Sequence, residues 1–146
     1  MFKYKSKGIT LLETVVAFSV FTILAFCAFS VEAAYIKQKA YNKDMKMYME
    51  CLEAAANTLV ARNSYMDLKG FEGEQQWYVN ENNLKFEYLT SGRVTELMNK
   101  SIPSDSAYMI IRISGADVLT VNLQIKFKVN GKVEALESEV YKGSYE

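Results

Sequence analysis

The sequence of 146 residues has no histidine, only two cysteines and a single proline. The absence of histidine removes the commonest general base and metal ligand. A phosphate-binding loop, a Cys/His zinc pattern and a Ser-His-Asp set are also missing. The sequence therefore predicts no enzyme, no cofactor, no metal and no small-molecule substrate. Its 17 basic residues equal its 17 acidic ones, so net charge gives no argument for a nucleic-acid partner and leaves that question open.

The two cysteines, Cys27 and Cys51, are too far apart to form a bridge if one helix carries both. At ~1.5 Å per residue their Cα atoms would be about 36 Å apart, whereas a disulfide requires an approach within ~7 Å. The sequence therefore predicts a chain without an intrachain disulfide. Cys51 is expected to be buried.

Charge is absent from the run between Glu13 and Glu32. Residues 9–31 are apolar apart from Glu13 and a few Thr and Ser, and about 20 such residues span a bilayer as a helix. Three basic residues precede the run: Lys3, Lys5 and Lys7. Basic residues before a span predict a cytoplasmic N-terminus. Residues 1–8 thus form a basic leader before a single membrane segment.

The helical pattern continues beyond the membrane segment, through residues 32–62. Apolar residues recur there at spacings of seven, and of three and four from Tyr41 on: Ala34, Tyr41, Met45, Tyr48, Leu52, Ala55 and Leu59. No proline or glycine occurs in residues 9–62, so the pattern predicts one continuous helix, apolar all round at first and amphipathic afterwards. We expect its apolar stripe to pack on the chain's own sheet; a separate coiled-coil partner is the alternative.

Beyond the helix, the pattern changes to loops and short strands. Residues 63–76 predict a connecting loop that contains two glycines. Alternation within residues 77–88 predicts a first hairpin with its turn at residues 80–83. Residues 91–106 predict a second loop, with one short helical turn near residues 94–100.

The most regular alternation lies in residues 119–129, which predict a half-buried antiparallel strand with one wet face. Residues 107–113 and 132–141 flank it as further strands. The second junction is Asn130-Gly131, a pair favoured in two-residue hairpin turns because both residues tolerate positive φ. Residues 63–146 therefore predict a small antiparallel sheet of three to five strands, and the fold class is α+β.

The segment Lys7-Gly8-Ile9-Thr10-Leu11-Leu12-Glu13 carries the most specific signal. It combines, in order, a basic leader, a glycine, an apolar helix and one glutamate near the start of that helix. This order resembles the N-terminal signal of type IV prepilins and type II secretion pseudopilins. The resemblance covers the leader and the apolar run closely, and the helix-plus-sheet layout loosely. Many relatives carry phenylalanine where Ile9 stands and proline where Ser30 stands.

The resemblance implies a pilin-like fold and a structural function, as a minor pilin or pseudopilin. Prepilin peptidase would cut after Gly8 and methylate the new amine of Ile9. The subunit would first lie in membrane lipid as a single-pass protein of the cytoplasmic membrane. An assembly ATPase and a platform protein would then move it into a helical filament on the cell surface. There, Glu13 would pair with the Ile9 amine of a neighbouring pilin subunit.

Other interpretations of the N-terminal region stay open. Glu13 could be solvated at the headgroup boundary. A lipid-modified Cys27 is disfavoured because the large Phe26 precedes it. Ordinary signal-peptidase cleavage near residue 33 would discard the helix. The chief alternative is a signal-anchored single-pass membrane protein with an extracytoplasmic binding domain.

Overall fold

The computed structural model describes residues 10–92, 94–129 and 131–144. One long helix, α1 (Leu11–Arg62), precedes a four-stranded antiparallel sheet whose spatial order is β1 (Trp77–Asn80), β2 (Ala107–Ser114), β3 (Val118–Val129) and β4 (Lys132–Gly143). The connections contain two short helices, α2 (Tyr65–Lys69) and α3 (Phe86–Ser91), and two 3-10 turns, Glu81–Asn83 and Val94–Leu97. This arrangement confirms the predicted α+β fold class, the continuous helix and the helical turn in the second loop.

By its internal contacts the chain divides into two units, residues 1–42 and 43–146. In the described part of the first unit, the side chains of α1 are almost all exposed. The second unit contains the last turns of α1, the whole sheet and the hydrophobic core.

The core lies between the inner face of the sheet and the apolar stripe of α1. Along β3 every second side chain is buried, which is the period of a strand with one covered face. β2 shows the same alternation, except that Ile110 is buried as well. The buried residues of the sheet include Met109, Ile111, Ile113, Val121, Leu123, Ile125 and Phe127. From α1, Leu52, Ala55 and Leu59 are buried in the same cluster, and Tyr48 stacks on Phe127 with ring centroids 4.4 Å apart. The predicted packing of the stripe on the chain's own sheet is confirmed from Met45 to Leu59, whereas Ala34 is exposed.

Two glycines set the tight turns of the sheet. In the β3–β4 hairpin, Val129 pairs with Lys132 and Gly131 has φ of 79°, as the predicted two-residue turn requires; Asn130 lies outside the described residues. Gly115, between β2 and β3, has φ of 121°. A Cβ atom there would collide with the carbonyl oxygen of Val118, so this turn accepts only glycine.

The predicted hairpin in residues 77–88 is wrong. β1 pairs with β2, Tyr78 opposite Ile110, and residues 81–91 form the 3-10 turn and α3 instead of a returning strand. The outer edge of β1 is closed by Asn99, whose backbone exchanges two hydrogen bonds of 2.8 Å with that of Tyr78. The alternation was too short to decide between helix and strand, and the much longer β2 provides the better partner. In α3 the buried residue is Leu89, which is not one of the alternating apolar positions 84, 86 and 88.

The predicted loop in residues 63–76 contains the short helix α2. Ser64 and Asp67 form a capping box there: the Ser64 N–H donates to Asp67 Oδ2, and the Asp67 N–H donates to Ser64 Oγ, both at 3.1 Å. Tyr65 and Leu68 bury their side chains in the core. The cap and these two anchors explain why a five-residue helix forms next to the glycines.

Candidate functional site

The predicted processing residues lie just before the described part of the chain. Gly8 and Ile9 are among residues 1–9, which the structure does not describe. The leader lysines are in the same segment: Lys3, Lys5 and Lys7. The predicted assembly residue Glu13 is described and lies in the first turn of α1.

Glu13 forms a capping box with Thr10 at the start of α1. The Thr10 N–H donates to Glu13 Oε2 at 2.9 Å, and the Thr10 hydroxyl donates to the same oxygen at 3.1 Å. In return, the Glu13 N–H donates to Thr10 Oγ1 at 3.2 Å. These bonds satisfy backbone donors that a helix otherwise leaves unpaired at its first turn. This role of Glu13 is not among the predictions from sequence, although Thr-x-x-Glu before an apolar run is its signature.

The capping box also fixes the orientation of the carboxylate. In the described chain, both bonds that Glu13 accepts go to Oε2. A carboxylate has about four lone-pair sites on its two oxygens, so Oε1 can accept a further donor without breaking the cap. The negative charge also lies at the helix N-terminus, where the helix dipole favours it. The arrangement therefore combines a helix cap with a carboxylate oxygen that can accept a further hydrogen bond.

The apolar surface of the first half of α1 is uncovered in the isolated chain. Large side chains are exposed on every side of residues 11–31, among them Phe18, Phe21, Phe26 and Phe29, and Phe26 has 75% of its surface accessible. Soluble monomers rarely expose contiguous apolar patches above a few hundred Å². This surface needs an apolar environment, which lipid or other protein chains can provide.

The hydroxyl groups within this segment bond to the helix itself. Ser19 donates to the Val15 carbonyl and Thr22 to the Phe18 carbonyl, both at 2.8 Å. Ser30 donates at 2.9 Å to the carbonyl one turn earlier. Because these donors are satisfied within the helix, they do not oppose transfer of the segment into hydrocarbon.

By length and composition, α1 can span a membrane, and none of its most apolar 18-residue window is buried. It is the only helix of the described chain that meets this description. A single-pass membrane location is compatible with this finding.

Both cysteines of α1 are free, Cys27 exposed and Cys51 buried. The Cys51 thiol lies 3.4 Å from the carbonyl oxygen of Leu84, to which it donates. Burial, followed by the charges of Glu50 and Glu87, raises the pKa of the Cys51 thiol. A thiol held in its neutral form is a weak nucleophile, so Cys51 is a core residue, as predicted.

The outer face of the sheet carries mostly polar side chains. Gln124 donates from its amide to Glu137 across β3 and β4, and the Tyr141 hydroxyl donates to Glu139 at 2.8 Å. That hydrogen bond is the main cause of the raised pKa of Tyr141. Over the residues described, no three His, Cys, Asp or Glu side chains converge as a metal site would require.

Comparison with protein-family models, with curated proteins and with solved structures finds no match for this chain.

Proposed function

We propose that this chain is a structural subunit, a minor pilin or pseudopilin, of a type IV pilus-like filament. It is made as a membrane-inserted precursor, cut after Gly8 and assembled through its N-terminal helix. The observation that carries the proposal is that the two halves of α1 differ in character. One continuous helix is exposed and apolar in residues 11–31, and it then forms one side of a packed domain.

The exposed half of α1 fits two apolar environments in succession. It fits a bilayer before assembly, since it has the length and the internally bonded hydroxyls of a membrane helix. It also fits the core of a filament, where the same side chains pack against those of neighbouring subunits. Because both environments are apolar, the exchange costs little, and packing and polar pairing set its direction. Extraction of the helix requires external work, which an assembly ATPase and a platform protein would supply.

Cleavage after Gly8 provides the cation that Glu13 needs. Prepilin peptidase would hydrolyse the Gly8–Ile9 peptide bond on the cytoplasmic side and methylate the new Ile9 amine. A carboxylate in a membrane helix costs roughly 2.5–3.5 kcal/mol and usually has a partner. In this proposal, the Ile9 amine of a neighbouring subunit donates to Glu13 Oε1 while Thr10 keeps Oε2. The uncut precursor has no such amine and cannot dock.

A second candidate is a signal-anchored membrane protein with an extracytoplasmic binding domain. The same exposed apolar helix supports it, because a permanent lipid span needs nothing further. The two candidates differ in the final location of the protein. A filament subunit leaves the membrane, whereas a signal-anchored protein stays in it.

Gly8→Val tests processing. A bulky residue before the cut is expected to block the peptidase, so the full-length precursor accumulates in the membrane and the filament fraction loses the chain. Immunoblots of membranes and sheared filaments, from cells that contain the assembly machinery, measure both. Gly70→Val, remote from the cut, is the matched control for cleavage. If Gly8→Val reaches filaments as well as the parent, cleavage after Gly8 is not part of the mechanism.

A further inference from the structure

The last strand of the sheet, β4, pairs with β3 along one edge, and its other edge faces outward. At the opposite side of the sheet, the edge strand β1 is short and is closed by Asn99. β4 is twelve residues long. Among the described residues, none forms a backbone hydrogen bond with the outward edge of residues 133–141. We call residues 133–141 the free edge.

The pairing register shows which backbone groups lie at the free edge. The bonds of Tyr78 to Asn99 point away from the sheet, and the register places Ile110, Gln124 and Glu137 in the same row as Tyr78. In antiparallel strands, hydrogen-bonded and non-bonded pairs alternate. Within this row Ile110 and Gln124 therefore bond to each other, and the N–H and C=O of Glu137 face outward. The same holds for every second residue of the free edge: Val133, Ala135, Glu139 and Tyr141.

The free edge lacks the usual features that protect an edge strand from pairing. It contains no proline and no lysine, and its register with β3 continues without a bulge. Its charged residues are all acidic: Glu134, Glu137 and Glu139. Of the antiparallel registers that would join the outward groups of two β4 strands, the two with the greatest overlap place Glu137 opposite Glu137 or Glu139. Facing like charges are destabilising, so the charges oppose self-pairing and favour a basic partner.

The two faces of β4 specify the side chains of such a partner. On the outer face of the sheet, Glu137 and Glu139 are exposed. On the inner face, Leu136 and Val140 are only partly buried at the margin of the core. A strand added beside β4 would cover these two apolar side chains with its inner face and would place its outer face beside the glutamates. Because successive side chains of a strand point to opposite faces, an alternation of basic and apolar residues meets both requirements.

We propose that the free edge is a docking site for an extended segment of another protein in which basic residues alternate with apolar ones. The segment adds a strand to the sheet, antiparallel to β4 as the other neighbouring strands are to each other. Its basic side chains lie opposite Glu137 and Glu139. Main-chain bonds of this kind provide affinity, and side chains at alternate positions provide specificity. The inference goes beyond the filament function and is independent of it, because it concerns the sheet domain alone.

Binding of synthetic peptides to the full-length chain, in micelles of a non-ionic detergent, tests the proposal by fluorescence anisotropy. The probe is a labelled peptide as long as the free edge in which lysine alternates with valine. It should bind at least about tenfold more tightly than a peptide of the same composition whose lysines and valines form two separate blocks. Methylation of the lysine backbone amides should abolish binding, because in an antiparallel pair the residues opposite Glu137 and Glu139 bond to them. Methylation of the valine amides should not.

Variants of the chain locate the binding site. Glu137→Lys with Glu139→Lys should weaken binding of the lysine peptide about tenfold, and this variant should instead bind a peptide that alternates glutamate with valine. Ala135→Pro should also weaken binding, because it removes an outward N–H at a position where an edge strand tolerates proline. Glu50→Lys with Glu53→Lys makes the same charge change on the exposed face of α1 and should bind like the parent. Circular dichroism should show the parental fold in each variant.

Four results would overturn the proposal. The first is no binding of the alternating peptide, and the second is equal binding of the alternating and block peptides, which would mean that charge alone is recognised. Equal binding of the two methylated peptides, or the reverse order, would exclude an antiparallel strand on β4. If the lysine peptide binds the Glu137→Lys, Glu139→Lys variant as tightly as the parent, the free edge is not the site. Failure of the filament function would change none of these readouts.

Discussion

Glu13→Gln is expected to abolish entry into filaments while leaving membrane insertion and cleavage after Gly8 intact. An incoming subunit presents its Ile9 amine, and a neutral amide in an apolar core cannot compensate that charge. Removing a carboxylate makes insertion of the helix into lipid easier. Glu13→Ala should fail for the same reason. The measurement is the fraction of protein in sheared filaments relative to the fraction left in membranes.

The capping box makes this test sharper. Glutamine also occupies the third helical position of capping boxes, so Glu13→Gln removes the charge but keeps the contact with Thr10. Thr10→Val is the matched control: it removes the cap, at a cost of about 1 kcal/mol, and keeps the carboxylate. We expect Thr10→Val to assemble at close to the parental level. If Thr10→Val fails and Glu13→Gln assembles, Glu13 serves only as a helix cap.

Leu52→Asp is expected to unfold the sheet domain. Leu52 is only 5% exposed and lies in the core between α1 and the sheet. A carboxylate there would be buried without a partner, and the penalty of several kcal/mol rivals the 5–15 kcal/mol by which whole domains are stable. Thermal unfolding followed by circular dichroism, on the chain shortened to begin at Ala34, measures the effect. The shortened parent lacks the apolar run and should be soluble, monomeric and folded.

Asn57→Asp is the control for this substitution, because it places the same side chain on the exposed face of the same helix. Its effect should stay within about 0.5 kcal/mol. A Leu52→Asp chain that unfolds at the parental temperature would contradict the packing of α1 on the sheet. A parent that forms only a helical oligomer would favour the coiled-coil alternative.

The long elements of the fold could be predicted because their patterns are long. The stripe of α1 repeats over eight turns or so without an interrupting glycine or proline, and the alternation of β3 extends over twelve residues. The stripe fits only the period of a helix, and the alternation fits only the period of a strand. The Asn130-Gly131 pair then predicted the turn of the β3–β4 hairpin, because Gly131 can adopt the positive φ that this turn requires.

The short elements could not be predicted from periodicity. Three alternating residues in 84–88 fit a strand or a helix equally, and the choice was made by the availability of β2 as a partner for β1. Both missed N-terminal caps, Thr10 with Glu13 and Ser64 with Asp67, have visible Ser/Thr-x-x-acid signatures. At the candidate site, the resemblance to prepilins implies that Glu13 pairs with an amine. The hydrogen bonds between Glu13 and Thr10 are seen only in the structure.

Processing and assembly are tested together by the intact mass of the protein recovered from sheared surface filaments. We predict a chain that begins at Ile9, with residues 1–8 lost and the mass of one methyl group added at the new amine. Tandem fragmentation should place that methyl group on Ile9. A chain that retains Met1, or that begins at Cys27 or Ala34, would contradict processing after Gly8 and the filament function built on it.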